Sequence, residues 1–360
     1  MIVQSILFAT HAFVYETWTA FSQTADPPGI SRLAIVFACL SVSFVVASLL
    51  AFRYYSFSAR ILYRLASAWL GILNYLFLAA IALWIFYAGA RVTRVGWEPR
   101  DVALSLFGLA AAAGIYGIVN SSWLRTKRIS VKLANLPEVW RGRVAALVSD
   151  THLGPVRGDG FSRRIVATLN REKADVVFLT GDIYDGTAAD VNQFARPFAD
   201  IVAPLGTYFV TGNHEEFGDP AIYTEALRRA GVRVLDAEKV DVDGLRIVGV
   251  PYRDLATPDR FLSAMRKADL DKDHASILLA HAPNRLWEAE QAGISMQLSG
   301  HTHAGQFFPW TRMVSRIYGK FAYGLQKLGN MTVYTSCGAG TWGPPLRLGT
   351  NPEIVLIQFE

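Results

Sequence analysis

The sequence predicts membrane-spanning helices in its N-terminal third and a mixed α/β domain in the remainder. Three observations carry that reading. Charge is segregated: of 65 Lys, Arg, Asp and Glu residues in a chain of 360, only eleven precede residue 120, and none of these is Lys. Long uncharged runs fill the charge-poor part, and short β-type runs alternating with helix-period segments fill the rest. The 52% hydrophobic content excludes a disordered chain.

Leu33 to Phe52, Leu65 to Ala90 and Val102 to Leu124 contain no charged residue. Each reaches the roughly 20 residues that cross a hydrocarbon core of about 30 Å as a helix. An earlier run from Met1 to Tyr15 continues past Glu16 through Trp18 and Phe21, with Gln4, His11 and Glu16 weakening it, so three or four spans are expected in residues 1–124. The first 31 residues hold no Lys or Arg, which argues against a cleaved signal peptide with a basic leader. Tyr54, Tyr55, Trp97 and Trp123 stand near the run ends, where aromatic rings anchor helices at the interface.

Residues 125–142 read as a connector, and 143–360 as the α/β domain. Strands are expected at Val144 to Ser149, Val176 to Thr180, Tyr208 to Thr211, Leu245 to Val250, Ile277 to His281, Met296 to Ser299, Met331 to Thr335 and Ile354 to Phe359. Helices are expected around Phe161 to Arg171, Val191 to Ile201, Pro220 to Ala230 and Pro258 to Lys267. Beyond residue 120 the formal charge is only +2, so nucleic acid is not expected as a partner despite a pI near 9.2. Two cysteines, Cys39 and Cys337, exclude a disulfide framework. Cys337, beside Gly338 and Gly340, reads as a small buried residue.

Chemistry-bearing residues gather at the strand ends. Asp150 and His152 follow the first strand, Gly181-Asp182 and Asp185 the second, and Gly212-Asn213-His214-Glu215 the third. His281 ends the Ile277 run, and Gly300-His301-Thr302-His303 follows the Met296 run. Taken singly, each has an ordinary structural explanation as a turn, a helix cap or a core histidine. Five of the seven histidines fall in these clusters, however, leaving only His11 and His274 outside. Loops at one sheet edge can converge on a single cleft, and Asp, Asn and His suit Mn, Fe, Zn or Mg. With no cysteine among them, a structural zinc cage of thiolates is not the reading.

The ordered motifs D-x-H, G-D-x-x-D, G-N-H-E, a lone His and G-H-x-H resemble the calcineurin-like metallophosphoesterase superfamily over roughly residues 143 to 360. With Gly305-Gln306 and Thr341 to Gly349, the tail is similar to a bacterial branch of membrane-anchored predicted phosphohydrolases. The resemblance implies a four-layer α/β/β/α sandwich and hydrolysis of a phosphoester or pyrophosphate bond by a hydroxide that two divalent metal ions activate. It implies Asp150, His152 and His303 at the first metal, Asn213, His281 and His301 at the second, and Asp182 bridging. His214 is then the catalytic histidine, with Asp185 expected to hydrogen-bond and orient it. Two departures stand out: Gly186 follows Asp185 where related protein phosphatases have Arg, which disfavours a Ser/Thr protein phosphatase, and Ala304 replaces a frequent Gly.

The expected partners are a phosphoester substrate, of which a lipid-linked form is one candidate, and the bilayer. A lipid-linked nucleotide-sugar pyrophosphatase of the UDP-diacylglucosamine hydrolase type is the leading specific candidate. The competing class is a non-catalytic membrane sensor whose metal site only binds. Gln306 to Gly329 mixes Phe307, Phe308, Trp310, Tyr318, Phe321 and Tyr323 with Arg312, Arg316 and Lys320, and reads as a packed loop or as an amphipathic lip.

With four spans, Arg53, Arg60, Arg64, Arg125, Lys127, Arg128 and Lys132 share one side, against Arg32, Arg91, Arg94 and Arg100 on the other. The richer side is expected to be cytoplasmic, in a bacterial inner membrane, and it carries the α/β domain. A C-terminal fusion to alkaline phosphatase, which is active only outside the cytoplasm, is therefore expected to be inactive in cells; an active fusion reverses the orientation.

Overall fold

A computed structural model describes residues 2–22, 32–94, 96–187, 190–271 and 273–360. Met1, with which the first apolar run begins, lies outside the described residues. Two compact units divide the chain: Met1–Asn120 with Gly343–Leu348, and Ser121–Trp342 with Gly349–Glu360.

The first unit is helical: α1 (Ile2–Ser22), α2 (Arg32–Arg53), α3 (Phe57–Thr93) and α4 (Pro99–Ser121). Among the described residues, α2, α3 and α4 are long and apolar enough to cross a membrane. α3 starts well before its uncharged run because the Ser56 side chain caps it, accepting from the Ala59 N–H at 3.2 Å. The polar residues of α1 are used inside the unit: Trp69 donates to His11 Nε2 at 2.9 Å, and Trp84 donates to Thr17 at 3.0 Å. His11 is thus structural, as its place outside the clusters suggested. Gly343–Leu348, placed by sequence in the α/β domain, clusters instead with the helices. The Arg347 N–H donates to the Gly117 carbonyl at 2.9 Å, and Asn120 donates to the Arg347 carbonyl at 3.0 Å. Gly117 has no side chain because a Cβ there would lie 2.7 Å from Leu346.

The second unit begins with β1 (Arg125–Val131), β2 (Val144–Val148), α5 (Asp159–Glu172), β3 (Val176–Thr180), α6 (Val191–Ala195), β4 (Thr207–Val210), α7 (Pro220–Arg229) and β5 (Arg233–Val234). It continues with β6 (Glu238–Val242), β7 (Leu245–Val250), α8 (Tyr252–Leu255), α9 (Pro258–Ala268), β8 (Ser276–Ala280), α10 (Leu286–Gln291) and β9 (Met296–Ser299). α11 (Trp310–Tyr318), β10 (Gly324–Leu328), β11 (Met331–Thr335) and β12 (Glu353–Phe359) complete it.

These strands form two six-stranded sheets, ordered β1-β12-β2-β3-β4-β5 and β10-β11-β9-β8-β7-β6. β2, β3, β4 and β5 run parallel in the first, and β7, β8, β9 and β11 in the second. Strand alternation sorts the side chains into layers. Leu147, Phe178, Ile247, Ile277, Leu279 and Ile357 belong to the core between the sheets. Val248, Val250, Leu278 and Ala280 face the other way and pack with Phe261, Met265, Leu286 and Ala289 from α9 and α10. α5, α6 and α7 pack side by side with the first sheet's outward residues Ala146, Val148, Val177 and Leu179 fully buried.

Residues 125–142, expected as a connector, are integral to this unit. β1 pairs in parallel with β12 from Arg125 opposite Glu353 to Val131 opposite Phe359. Its run of basic residues hid the alternation that places Ile129 and Val131 toward the core. Trp140 is fully buried, with its ring 5.5 Å from Phe359 and its Nε1 donating to the Val242 carbonyl at 2.9 Å. It thereby joins the two sheets at one end. Trp140→Ala is expected to cost about 3–5 kcal/mol and to lower the melting temperature of the purified protein by on the order of 10 °C; an unchanged melting curve would mean that this segment is a mere connector.

Candidate metal centre

Five parallel strands deliver the polar clusters to one edge of the sandwich. Asp150 and His152 follow β2, Asp182 and Asp185 follow β3, Asn213 and His214 follow β4, His281 follows β8, and His301 and His303 follow β9. This is the carboxyl edge, where strand-to-loop transitions place side chains around a common space.

All nine residues named from the sequence come together there. His152 Nε2 and His303 Nε2 are 3.0 Å apart, and His303 Nε2 is 3.4 Å from Asp150 Oδ1. On the other side, His301 Nδ1 lies 2.9 Å from Asn213 Oδ1 and 3.3 Å from His281 Nε2. The two sets meet at Asp182, whose Oδ2 is 3.2 Å from His281 Nε2 and 3.9 Å from His152 Nε2. Asp150 with His152 and His303, and Asp182 with His281 and His301, each form a group able to hold a metal ion. Buried nitrogen and oxygen atoms directed at shared points are the ligand set that Mn, Fe, Zn or Mg requires.

The backbone is strained where these side chains leave it. Asp150, His152, Asp182, His301 and His303 have φ of 52°, 47°, 52°, 69° and 48°, in the left-handed region that costs a non-glycine residue on the order of 1 kcal/mol. Ala304 shares this conformation at φ 50°, one that glycine adopts without steric cost. Glycines let the loops interlock. A Cβ on Gly300 would lie 1.9 Å from Ser149 Oγ and 2.1 Å from Asp150 Oδ2, and one on Gly212 would lie 2.2 Å from Asp182 Oδ1.

Neighbouring groups aim the rings. His281 Nδ1 donates to the Thr180 carbonyl at 2.7 Å, which leaves Nε2 toward Asp182. The contact expected between Asp185 and His214 is present in a different form. His214 Nδ1 donates to the backbone carbonyl of Asp185 at 3.0 Å, while the carboxylate lies 3.5 Å from His152 Nδ1. The side chain of Asp185 therefore faces His152, because the tight turn after β3 presents its carbonyl to His214.

Glu215, which closes the Gly212-Asn213-His214-Glu215 motif, has a structural role. Fully buried, it accepts from the N–H groups of Asp182, Tyr184 and Gly212 at 2.9, 3.0 and 2.7 Å. One carboxylate thus ties the loop after β3 to the loop after β4. Its neighbour in the motif, the His214 N–H, donates to Asp182 Oδ1 at 2.9 Å.

Burial and mutual charge distribute protons unevenly over the cluster. Burial alone would lower the His281 pKa, but the Asp182 and Asp150 carboxylates and the Thr180 carbonyl push it up to about 10. Burial likewise opposes charge on Asp182, yet His281, with His152 and His214, holds its carboxyl well below the usual range. Burial raises Asp185 to about 7, and burial with the nearby Asp182 charge raises Glu215 to about 7. His301 is lowered to about 4 by burial and the His281 charge, and His214 is lowered by burial and His152. Three Asp and five His in one buried cluster can keep their anionic and neutral forms together only with positive charge among them.

Aromatic rings frame the cluster. Phe217 and Trp342, both exposed, have ring centroids 4.7 and 6.3 Å from His214, and Tyr252 lies 5.7 Å from His301. Gln306 fixes Trp342 by a paired contact, accepting from its N–H at 2.9 Å and donating to its carbonyl at 3.1 Å. The loop after β11 holds the first loop, with the Ala339 and Gly340 N–H groups donating to the Ser149 and Asp150 carbonyls at 2.9 and 2.8 Å. The run of small residues around Cys337 was the sequence signal for this close approach.

The calcineurin-like phosphoesterase family model matches residues 144–305. An uncharacterized metallophosphoesterase of Campylobacter jejuni is 31% identical over 275 residues, 75% of this chain and 71% of its own. An uncharacterized metallophosphoesterase of Aquifex aeolicus is 31% identical over 261 residues, covering 70% of this chain and 98% of its own. A Danio rerio protein described as a transmembrane protein with a metallophosphoesterase domain is 31% identical over 277 residues, 72% of this chain and 63% of its own. Relatives of such extent, together with the family match across every strand-end cluster, establish that this chain belongs to the calcineurin-like phosphoesterases.

Proposed function

We propose that this chain hydrolyses a phosphate ester or pyrophosphate bond at a membrane surface. In this reading Asp150, His152 and His303 hold one divalent metal ion, Asn213, His281 and His301 hold a second, and Asp182 contributes to both. The observation that carries the proposal is the meeting of the two ligand sets at Asp182 Oδ2, with His214 beside them. Two bound cations supply positive charge for phosphoryl oxygens and lower the pKa of water.

The remaining residues position and move protons. Because the Asp185 carbonyl can only accept, His214 carries its proton on Nδ1, leaving Nε2 as the atom that exchanges a proton with the leaving oxygen. Asp185 orients His152 through its carboxylate and His214 through its carbonyl. Buried walls around the cluster exclude bulk water, which strengthens every charge interaction inside. A sensor that only binds metal would have no use for His214, which favours hydrolysis over that alternative.

A lipid-linked substrate is the reading that best uses three apolar helices on the same chain as the centre. A lipid-linked nucleotide sugar, cleaved at its pyrophosphate, is the leading specific candidate. With α1 taken as a fourth membrane helix, the Lys and Arg distribution supports a bacterial inner membrane with the phosphoesterase unit on the cytoplasmic side.

Metal analysis with an aryl phosphodiester assay tests the assignment. Asp182→Asn is expected to lower bound metal below two equivalents and to cut turnover by about 10²-fold or more, whereas His214→Ala keeps both metals and loses about 10²–10⁴-fold in kcat. Unchanged hydrolysis by metal-loaded Asp182→Asn protein would sink the two-metal assignment. Asp185→Asn is expected to weaken metal affinity by about 10–100-fold, as removal of a histidine's carboxylate partner does elsewhere. A loss confined to kcat at full metal occupancy would instead place its role at His214.

A further inference from the structure

The segment from Gln306 to Gly329 contains four cationic residues, Arg312, Arg316, Lys320 and Lys327, and no Asp or Glu. Within it, α11 buries none of its nine residues. Trp310, Met313 and Ile317 recur at helical spacing along one face and are 45%, 46% and 65% exposed. Phe308, Tyr323 and Leu325, on either side in sequence, are exposed as well. Arg312 and Arg316 lie off this stripe, and all the cationic side chains in α11 and the turn after it are exposed.

α11 is fixed to the candidate centre at both ends. Gly305, two residues beyond His303, approaches the start of the helix so closely that a Cβ there would lie 2.5 Å from the Thr311 backbone. At the other end the Tyr318 ring is 6.3 Å from the ring of His301. An exposed apolar stripe is costly in water for a nine-residue helix that has no fully buried residue. A stripe bearing Trp, flanked by cations without a compensating acid, has the composition of a helix that lies in the headgroup region of an anionic bilayer. The chain's own apolar spans hold it at a bilayer.

We propose that α11 is an interfacial membrane helix, seated with Trp310, Met313 and Ile317 among the acyl chains and Arg312, Arg316 and Lys320 at anionic headgroups. It brings the His301 and His303 side of the centre to headgroup depth, where the phosphate of a lipid-borne ester resides. This rests on the phosphoesterase reading and adds to it the surface from which substrate enters. Free phosphoesters reach the centre from water without this contact.

The test uses the full chain reconstituted in phosphatidylcholine vesicles with or without phosphatidylglycerol. Exposed Cys39 is replaced by Ser, buried Cys337 is left in place, and Met313→Cys receives an environment-sensitive fluorophore. In anionic vesicles the emission is expected to shift to the blue, with at least about two-fold quenching by lipids spin-labelled near the headgroup. Adding Arg312→Glu and Arg316→Glu is expected to return quenching to its level in neutral vesicles. A fluorophore that stays in water in every vesicle overturns the proposal, as does protection that follows protein concentration in detergent, which would assign the face to a second copy. Aryl phosphodiester hydrolysis by the same labelled protein reports separately on the centre. Docking without hydrolysis would reject the phosphoesterase reading alone, and hydrolysis without docking would reject this proposal alone.

Discussion

The position of one carboxylate oxygen, Asp182 Oδ2, decides whether two sets of ligating atoms face a common space or two separate ones. It lies 3.2 Å from His281 and 3.9 Å from His152, residues contributed by different sheets. Little room exists for adjustment, because Gly212 packs against the Asp182 side chain and backbone from the next loop. Glu215 secures the arrangement from beneath by accepting the N–H groups of Asp182, Tyr184 and Gly212. A buried carboxylate that satisfies three backbone donors fixes two loops with one side chain, at the cost of desolvating its own charge. That cost is visible in the raised pKa of Glu215, about 7.

The same constraint explains the unusual backbone. Loops leaving adjacent parallel strands start about 4.8 Å apart, and side chains that must converge cannot all follow extended geometry. Left-handed φ at Asp150, His152, Asp182, His301 and His303 turns each side chain inward within two to four residues of its strand. Such strain persists only where surrounding structure over-determines it. Here the restraint comes from fully buried strands on both sheets and from Ala339 and Gly340, which hydrogen-bond the first loop from its far side.

Much of this was legible in the sequence, for identifiable reasons. The eight expected strands all exist, because each is a short apolar run, most of them bounded by Gly, Asp, Asn or His. Their polar ends named the residues that converge, since a hydrophilic cluster directly after a buried strand has to sit at the sheet edge. β1 was missed because Arg125, Lys127, Arg128 and Lys132 mask its alternation, and its partner β12 lies more than 220 residues away. The orientation of Asp185 depends on whether a turn presents its carboxylate or its carbonyl, which residue order does not encode. Gly343–Leu348 clusters with the helices through hydrogen bonds of the Arg347 backbone to the Gly117 carbonyl and the Asn120 side chain, and hydropathy carries no trace of such contacts. The segment of α11 reads equally as a packed loop or an amphipathic lip, and the exposure of Trp310, Met313 and Ile317 is a property of packing alone.

Charge placement links the centre to its surroundings. A phosphate ester brings negative charge to a site that already contains Asp150, Asp182, Asp185 and Glu215, all buried. None of the nine residues that converge there is Lys or Arg, and the four cations of residues 306–329 stand on the adjoining segment instead. Repulsion between substrate and centre must therefore be overcome by positive charge held within the His and Asp cluster itself, which is the role its two ligand sets suit. The peripheral cations serve a different step. In the proposed arrangement they attract anionic headgroups within a Debye length of about 8 Å in physiological salt, and the proposed hydrolysis relies on the groups that meet at Asp182.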